Sequence, residues 1–196
     1  WYFVGRLGRL NWLIGQFLFG VASVISYILY VAVFTIGFSL FSAKWSFRWS
    51  DFCTKYLFLY PDRDGDFISS LFPKNLYNQM SLSSAVFHTY LLLMLYLLFL
   101  LLVLMLGKLF KHRVAGILLA GSIVSAGTAL CSLRSGAMWL FPMAHSVIWL
   151  HYTEYYREQV FSVQTSYVLF GMAVMLLGLF AVMKIYTYQF DVQEIQ

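Results

Sequence analysis

The chain has 196 residues, of which 61% are hydrophobic and only 11% charged, with a mean hydropathy of +0.76. A soluble domain carries roughly a quarter charged residues, so these proportions describe a protein that crosses a membrane several times. The net charge of +5 is modest and points to no nucleic acid, and two cysteines are too few for a disulfide framework.

The six Trp, 14 Tyr and 19 Phe suit aromatic anchoring at bilayer interfaces. The sequence opens on Trp1 rather than Met and has no basic leader ahead of an apolar core, so a further portion is expected upstream. A helix needs about 20 apolar residues to cross a bilayer core of roughly 30 Å. Four stretches qualify: about 13–37, 86–107, 114–133 and 167–183. None alternates polar and apolar residues as a membrane barrel must, so the spans are helices. The expected fold is an all-α membrane protein, with 1–196 forming one transmembrane domain.

In chain order, the first span follows "GRLGR", which carries Arg6 and Arg9 with no acid nearby. The outer loop, 44–85, holds "WSFRWSDFCTKYLFLY". There Trp45, Trp49, Phe52 and Tyr56 recur at helical steps, while Arg48, Asp51 and Lys55 fall on another face. Asp51 precedes Lys55 by four residues, a favourable helical pair. This pattern predicts an amphipathic helix lying in the headgroup region, with a helix of a small folded outer domain as the alternative. "PDRDGD" then turns the chain. Its carboxylates Asp62, Asp64 and Asp66 do not make a calcium loop, because the sixth and twelfth positions counted from Asp62 hold Phe67 and Pro73 instead of Gly and Glu.

The second span is Leu-rich and is joined to the third by "GKLFKHR". In the third span Gly116 and Ala120 are four apart, as are Gly121 and Ser125, a spacing that lets helices approach closely. That predicts the third span at the centre of the bundle and the second facing lipid over more of its circumference.

Between the third and fourth spans, 135–153 contains no Asp, Glu, Lys or Arg, yet it holds Pro142, His145 and His151. Lys108, Lys111 and Arg113 in a short loop, with Arg6, Arg9 and Lys184, put both termini in the cytoplasm by the positive-inside rule. The opposite side holds seven basic residues spread over long loops and offset by six acids. Termini on one side require an even number of crossings, so this stretch should not cross. Pro142 also removes a backbone donor within it. The segment 135–158 is therefore expected to be an outer re-entrant or interfacial helical hairpin, with Pro142, His145 and His151 lining an outward vestibule.

Candidate chemistry is sparse. No Asp, Glu, Lys or Arg lies within the four spans, which argues against an ion-coupled pump. No phosphate-binding glycine loop is present, so any ATP would be bound by a partner. His145 and His151 are six apart, which on a single helix would point them about 120° from each other, the wrong spacing for a zinc protease. No metal site and no cofactor in this chain is expected. His88 and His112 lie at opposite mouths and do not pair as haem ligands. Cys53 and Cys131 both fall on the outer side, where a disulfide between them is possible.

"VGRLGRLNWLIGQFL", with two arginines three apart followed by Asn11 and Trp12, resembles the cytoplasmic segment before the third span in permease subunits of bacterial type-2 ATP-binding-cassette exporters. "FPMAHS" before a last span and the closing "YQFD" are similar to the end of such permeases. The resemblance covers essentially the whole chain and matches the last four of the family's six spans. This chain departs from the family in lacking the first two spans and in its long aromatic outer loop. The resemblance implies a bacterial cell-membrane protein that moves an amphiphilic peptide, lipid or similar substrate. Its partners would be a soluble ATPase subunit that binds ATP, a second permease copy or homologue, and membrane lipids. Arg6, Arg9, Asn11 and Trp12 would dock on the ATPase. Positive-inside topology and an aromatic belt residue account for the same residues without that role.

Two other classes of function fit the residues. A non-transporting scaffold, sensor or immunity subunit needs no polar pathway. A membrane enzyme at the lipid interface would have His145, His151 and Glu154 as its acid–base groups.

Overall fold

The computed structural model describes residues 8–40, 46, 48–63, 71, 73–110, 112–153 and 161–187. In chain order its helices are α1 (Arg9–Leu40), α2 (Asp51–Leu59), α3 (Lys74–Gln79), α4 (Leu82–Leu109), α5 (Arg113–Ser132), α6 (Pro142–Ser146) and α7 (Val163–Thr187). Short 3-10 turns occupy Pro61–Arg63, Gly136–Leu140 and Ile148–Tyr152. No strand occurs among the described residues. Of these helices α1, α4, α5 and α7 are long and apolar enough to cross a membrane. The protein is an all-α membrane protein.

Side-chain contacts fix how the four long helices stand. Leu13 of α1, Leu109 of α4 and Ala181 and Ile185 of α7 form one buried cluster, with Trp12, Met105 and Leu106 packed against it. Arg9 Nη1 donates to the Tyr186 carbonyl at 3.0 Å. It thereby satisfies one of the carbonyls that the last turn of a helix leaves without an intrahelical partner. Lys108 Nζ sits 5.3 Å over the Trp12 ring and Lys184 Nζ 4.7 Å over that of Phe110. The start of α1, the end of α4 and the end of α7 therefore share one end of the bundle, here the terminal end. At the far end Leu76, Leu92, Tyr96, Ile148, Val163 and Phe170 form a second cluster.

The expectation that the third span is central is corrected. The Leu-rich α4 packs against α1, α5 and α7, whereas α5 packs on α4 and on the segment that follows it. A helix apolar on every side can be buried from several directions, and α4 buries Ala85, Leu92, Tyr96, Leu102, Val103 and Leu109 along its length. Two glycines set the closest approaches. A Cβ on Gly20 of α1 would lie 2.5 Å from Leu101 Cδ1 of α4, and one on Gly107 of α4 would lie 2.6 Å from Gly116 Cα of α5.

Polar residues on exposed faces of the spans are satisfied within their own helix. Ser23, Thr35, Ser125 and Thr128 each donate to the carbonyl four residues earlier at 2.8 Å. This back-bonding removes the cost of an open hydroxyl in an apolar medium.

The outer-loop helix is shorter than the periodicity predicted. It begins at Asp51, because the Ser50 side chain caps it by accepting from the Cys53 amide at 3.2 Å. Trp49 thus precedes the helix, and its indole Nε1 donates to the Met80 carbonyl at 2.8 Å. Trp45 lies outside the described residues. Within the helix the predicted pairs do form. Phe52 meets Tyr56 edge to face at 5.3 Å, and Lys55 Nζ reaches Asp51 Oδ1 at 3.8 Å. Asp62 sits in the turn Pro61–Arg63, while Asp64 and Asp66 lie outside the described residues.

Candidate functional site: a buried histidine–serine knot

α5 ends in a two-bond wrap. The Arg134 amide donates to the Cys131 carbonyl and the Ser135 amide to the Leu130 carbonyl, both at 3.2 Å. This is the Schellman arrangement, which needs a left-handed residue at the turn. Arg134 takes that place with φ 51°.

After the wrap the chain makes three short turns, Gly136–Leu140, Pro142–Ser146 and Ile148–Tyr152, none longer than five residues. Pro142 opens α6 at its first position, where the missing N–H has no intrahelical partner to lose. Five residues rise only about 8 Å, far short of a bilayer core. The segment leaves α5 and reaches α7 at the same far end of the bundle. It dips into the bundle. A Cβ on Gly127 would lie 2.7 Å from Met143 Cβ, and Gly127 sits roughly 8 Å below the end of α5 along its axis. The stretch from Glu154 to Glu158 lies outside the described residues.

The turns bring together two histidines that a single helix would have held apart, with ring centroids 6.4 Å from each other. Both are only 6% exposed, and Ser166 of α7 is 0% exposed. His145 Nε2 lies 2.9 Å from the Trp139 carbonyl, and a carbonyl can only accept, so Nε2 carries the hydrogen. His145 Nδ1 then presents its lone pair, and the Ser166 hydroxyl donates to it at 2.9 Å. His151 Nδ1 donates to the Phe161 carbonyl at 2.6 Å. Its Nε2 faces the His145 carbonyl at 3.4 Å and Ser166 Oγ at 3.5 Å. The Trp139 ring stands 5.3 Å from the His145 ring and 5.1 Å from that of His151, and Phe161 stands 5.4 Å from Trp139.

Burial holds both imidazoles below the ordinary histidine pKa. Hydrogen bonds to the backbone carbonyls of Trp139 and Phe161 work against that shift, and for His145 the neighbouring His151 adds to it. Both rings are therefore neutral at pH 7.

The vestibule expected at Pro142, His145 and His151 assumed water at the imidazoles. The structure gives them protein partners and leaves Pro142 half-buried. Among the residues proposed to dock on an ATPase, Arg9 holds the Tyr186 carbonyl, Trp12 packs in the terminal-end cluster and Asn11 is exposed, while Arg6 lies outside the described residues. Of the proposed packing residues, Gly116 and Ala120 are buried, whereas Gly121 and Ser125 are exposed. Cys53 and Cys131 are free thiols. Among the described residues no group of three or more His, Cys, Asp or Glu could hold a metal.

Sequence reasoning missed Ser166, which is one of several hydroxyls on an apolar span, and Trp139. It also missed the bond between His88 Nδ1 and Tyr167 Oη at 2.6 Å, which ties α4 to α7 at the far end. No protein family, curated protein or solved structure matches the chain.

Proposed function

We propose that the chain is the membrane-embedded subunit of an exporter whose energy comes from a separate ATPase, with the terminal end of the bundle in the cytoplasm. The observation that carries this reading is the division of the bundle into two unlike ends. Arg9, Lys108 and Lys184 collect at the terminal end around Trp12, Phe110 and the last turn of α7. The far end carries a segment of short turns packed against α4, α5 and α7. A force applied to the cationic end reaches that segment through α4 and α7, which touch both ends. The substrate class that suits an apolar bundle is an amphiphilic peptide or lipid.

The test is isolation of the complex from native membranes in mild detergent. A stoichiometric ATPase should accompany the chain and be lost on Lys108→Glu with Lys184→Glu, while the chain still inserts. A chain that purifies alone, at full yield, contradicts the proposal.

A non-transporting scaffold is the second reading. It is favoured by the engagement of Arg9 and Trp12 inside the bundle, which gives those residues a packing role that needs no partner.

A further inference from the structure

Among the described residues, the hydrogen-bond count of the histidine–serine knot does not close in its neutral state. Its donors are His145 Nε2–H, His151 Nδ1–H and the Ser166 hydroxyl. The acceptors that need them are the Trp139 and Phe161 carbonyls, His145 Nδ1 and His151 Nε2. The Trp139 indole N–H is a further donor, but it is buried and reaches none of these acceptors. The two carbonyls fix both tautomers, so two imidazole lone pairs face one hydroxyl hydrogen. That hydrogen goes to His145, at 2.9 Å, rather than to His151, at 3.5 Å. His151 Nε2 is left facing a carbonyl oxygen and a hydroxyl oxygen that is already donating elsewhere.

We infer that the knot is a binding site for one proton, shared by His145 and His151 through the Ser166 hydroxyl. One added proton completes the count. It lodges on His145 Nδ1, and Ser166 Oγ becomes the acceptor of that N–H. The hydroxyl turns its own hydrogen to His151 Nε2, and both imidazoles and the hydroxyl then have partners, while the Trp139 indole N–H stays without one. Transfer along the same line moves the charge. Ser166 gives its hydrogen to His151 Nε2 as it takes the one on His145 Nδ1, so the hydroxyl is regenerated and the cation passes from one ring to the other.

The surroundings admit one charge and oppose two. The tilted Trp139 ring, 5.3 and 5.1 Å from the two imidazoles, and the Phe161 ring, 5.5 Å from His145 and edge to face with it, lie within the distance at which an aromatic ring can favour an imidazolium. The titratable groups on the elements packed around the knot are His88, Tyr90, Tyr96 and Lys108 of α4, Arg113 and Cys131 of α5, and Tyr167, Lys184 and Tyr186 of α7, with Tyr152 in the segment itself and Arg134 just past α5. None of them is a carboxylate that would hold a second proton in place. Glu154, Arg157 and Glu158 follow in the sequence outside the described residues. Burial sets the midpoint below that of an ordinary histidine. The inference does not depend on the transport reading.

The test is a titration of the full chain, labelled with 15N-histidine, in lipid nanodiscs, with signals assigned through His145→Asn and His151→Asn. The expected result is a joint movement of both rings along one curve, with uptake of about one proton by the pair. In Ser166→Ala the shared curve should split, because the bridge between the rings is gone. Uptake of two protons at independent midpoints in the unsubstituted chain overturns the inference. So does no uptake at all down to the acid limit of folding, which would mean that the Trp139 indole N–H supplies the missing donor. If Ser166→Ala fails to fold, the titration of the unsubstituted chain decides alone.

Discussion

Gly107 and Gly116 face each other across the hairpin between α4 and α5. A Cβ added to Gly116 would lie 2.9 Å from Gly107 Cα, which is backbone and cannot move aside. Gly116→Val should therefore splay the hairpin at a cost of about 1–3 kcal/mol, the usual range for overpacking. Gly121→Ala, on the exposed side of the same helix, should change stability by no more than about 0.5 kcal/mol. Reversible unfolding in mixed micelles compares the two, and equal effects would contradict the packing described here.

The outer loop is held by the bond from the Trp49 indole to the Met80 carbonyl. Trp49→Phe keeps a ring and removes the donor, so it should cost about 1 kcal/mol. Protease cleavage between Arg63 and Lys74 should then be faster, while cleavage at the terminal end stays as it was. An unchanged pattern would mean that the loop is held by packing alone.

The left-handed Arg134 offers a gain in stability. A non-glycine residue in that region costs roughly 1 kcal/mol, which glycine does not incur. Arg134→Gly should keep the wrap at the end of α5 and raise stability by up to about that amount, seen as a higher unfolding midpoint. A large loss instead would assign the arginine side chain a contact worth more than the backbone strain.

The histidine–serine knot makes the seating of the dipping segment pH-dependent. Burial depresses the pKa of His145 and His151 in the folded protein. The released segment therefore binds more protons than the seated one. The stabilisation is complete above about pH 6.5, the ordinary histidine value, and is lost as pH falls through the lowered folded values. Amide exchange in 136–152, corrected for intrinsic rate, should quicken relative to α4 as the pH is lowered below that point. Protection that stays constant into acid would remove the linkage, and protection that grows would reverse its sign.

What the sequence made legible follows from which forces are local. The four long helices were readable because a run of about 20 apolar residues has no other stable form in a bilayer. The expected stretches 13–37, 86–107 and 167–183 lie inside Arg9–Leu40, Leu82–Leu109 and Val163–Thr187, and 114–133 runs one residue past Arg113–Ser132. Charge and Pro142 predict that 135–153 does not cross, and thiol accessibility tests it. The knot was not readable, because its members are five to 27 positions apart in the sequence and meet only through three unlike turns with no shared period. The centre of the bundle was misread because small residues mark close approach without saying which face of a helix makes it. Gly116 makes the approach, and Gly121, one turn and a little further on, does not.

The most direct measurement for the whole arrangement is thiol accessibility in sealed vesicles, with single cysteines in a background lacking Cys53 and Cys131. Cysteines replacing Ser135 and Ser162 flank the dipping segment, and those replacing Gly8 and His112 mark the terminal end. An impermeant reagent should reach the first two from one side of the membrane and the second two only from the other. If Ser135 and Ser162 react from opposite sides, the segment crosses, and the fold described here is wrong at its central point.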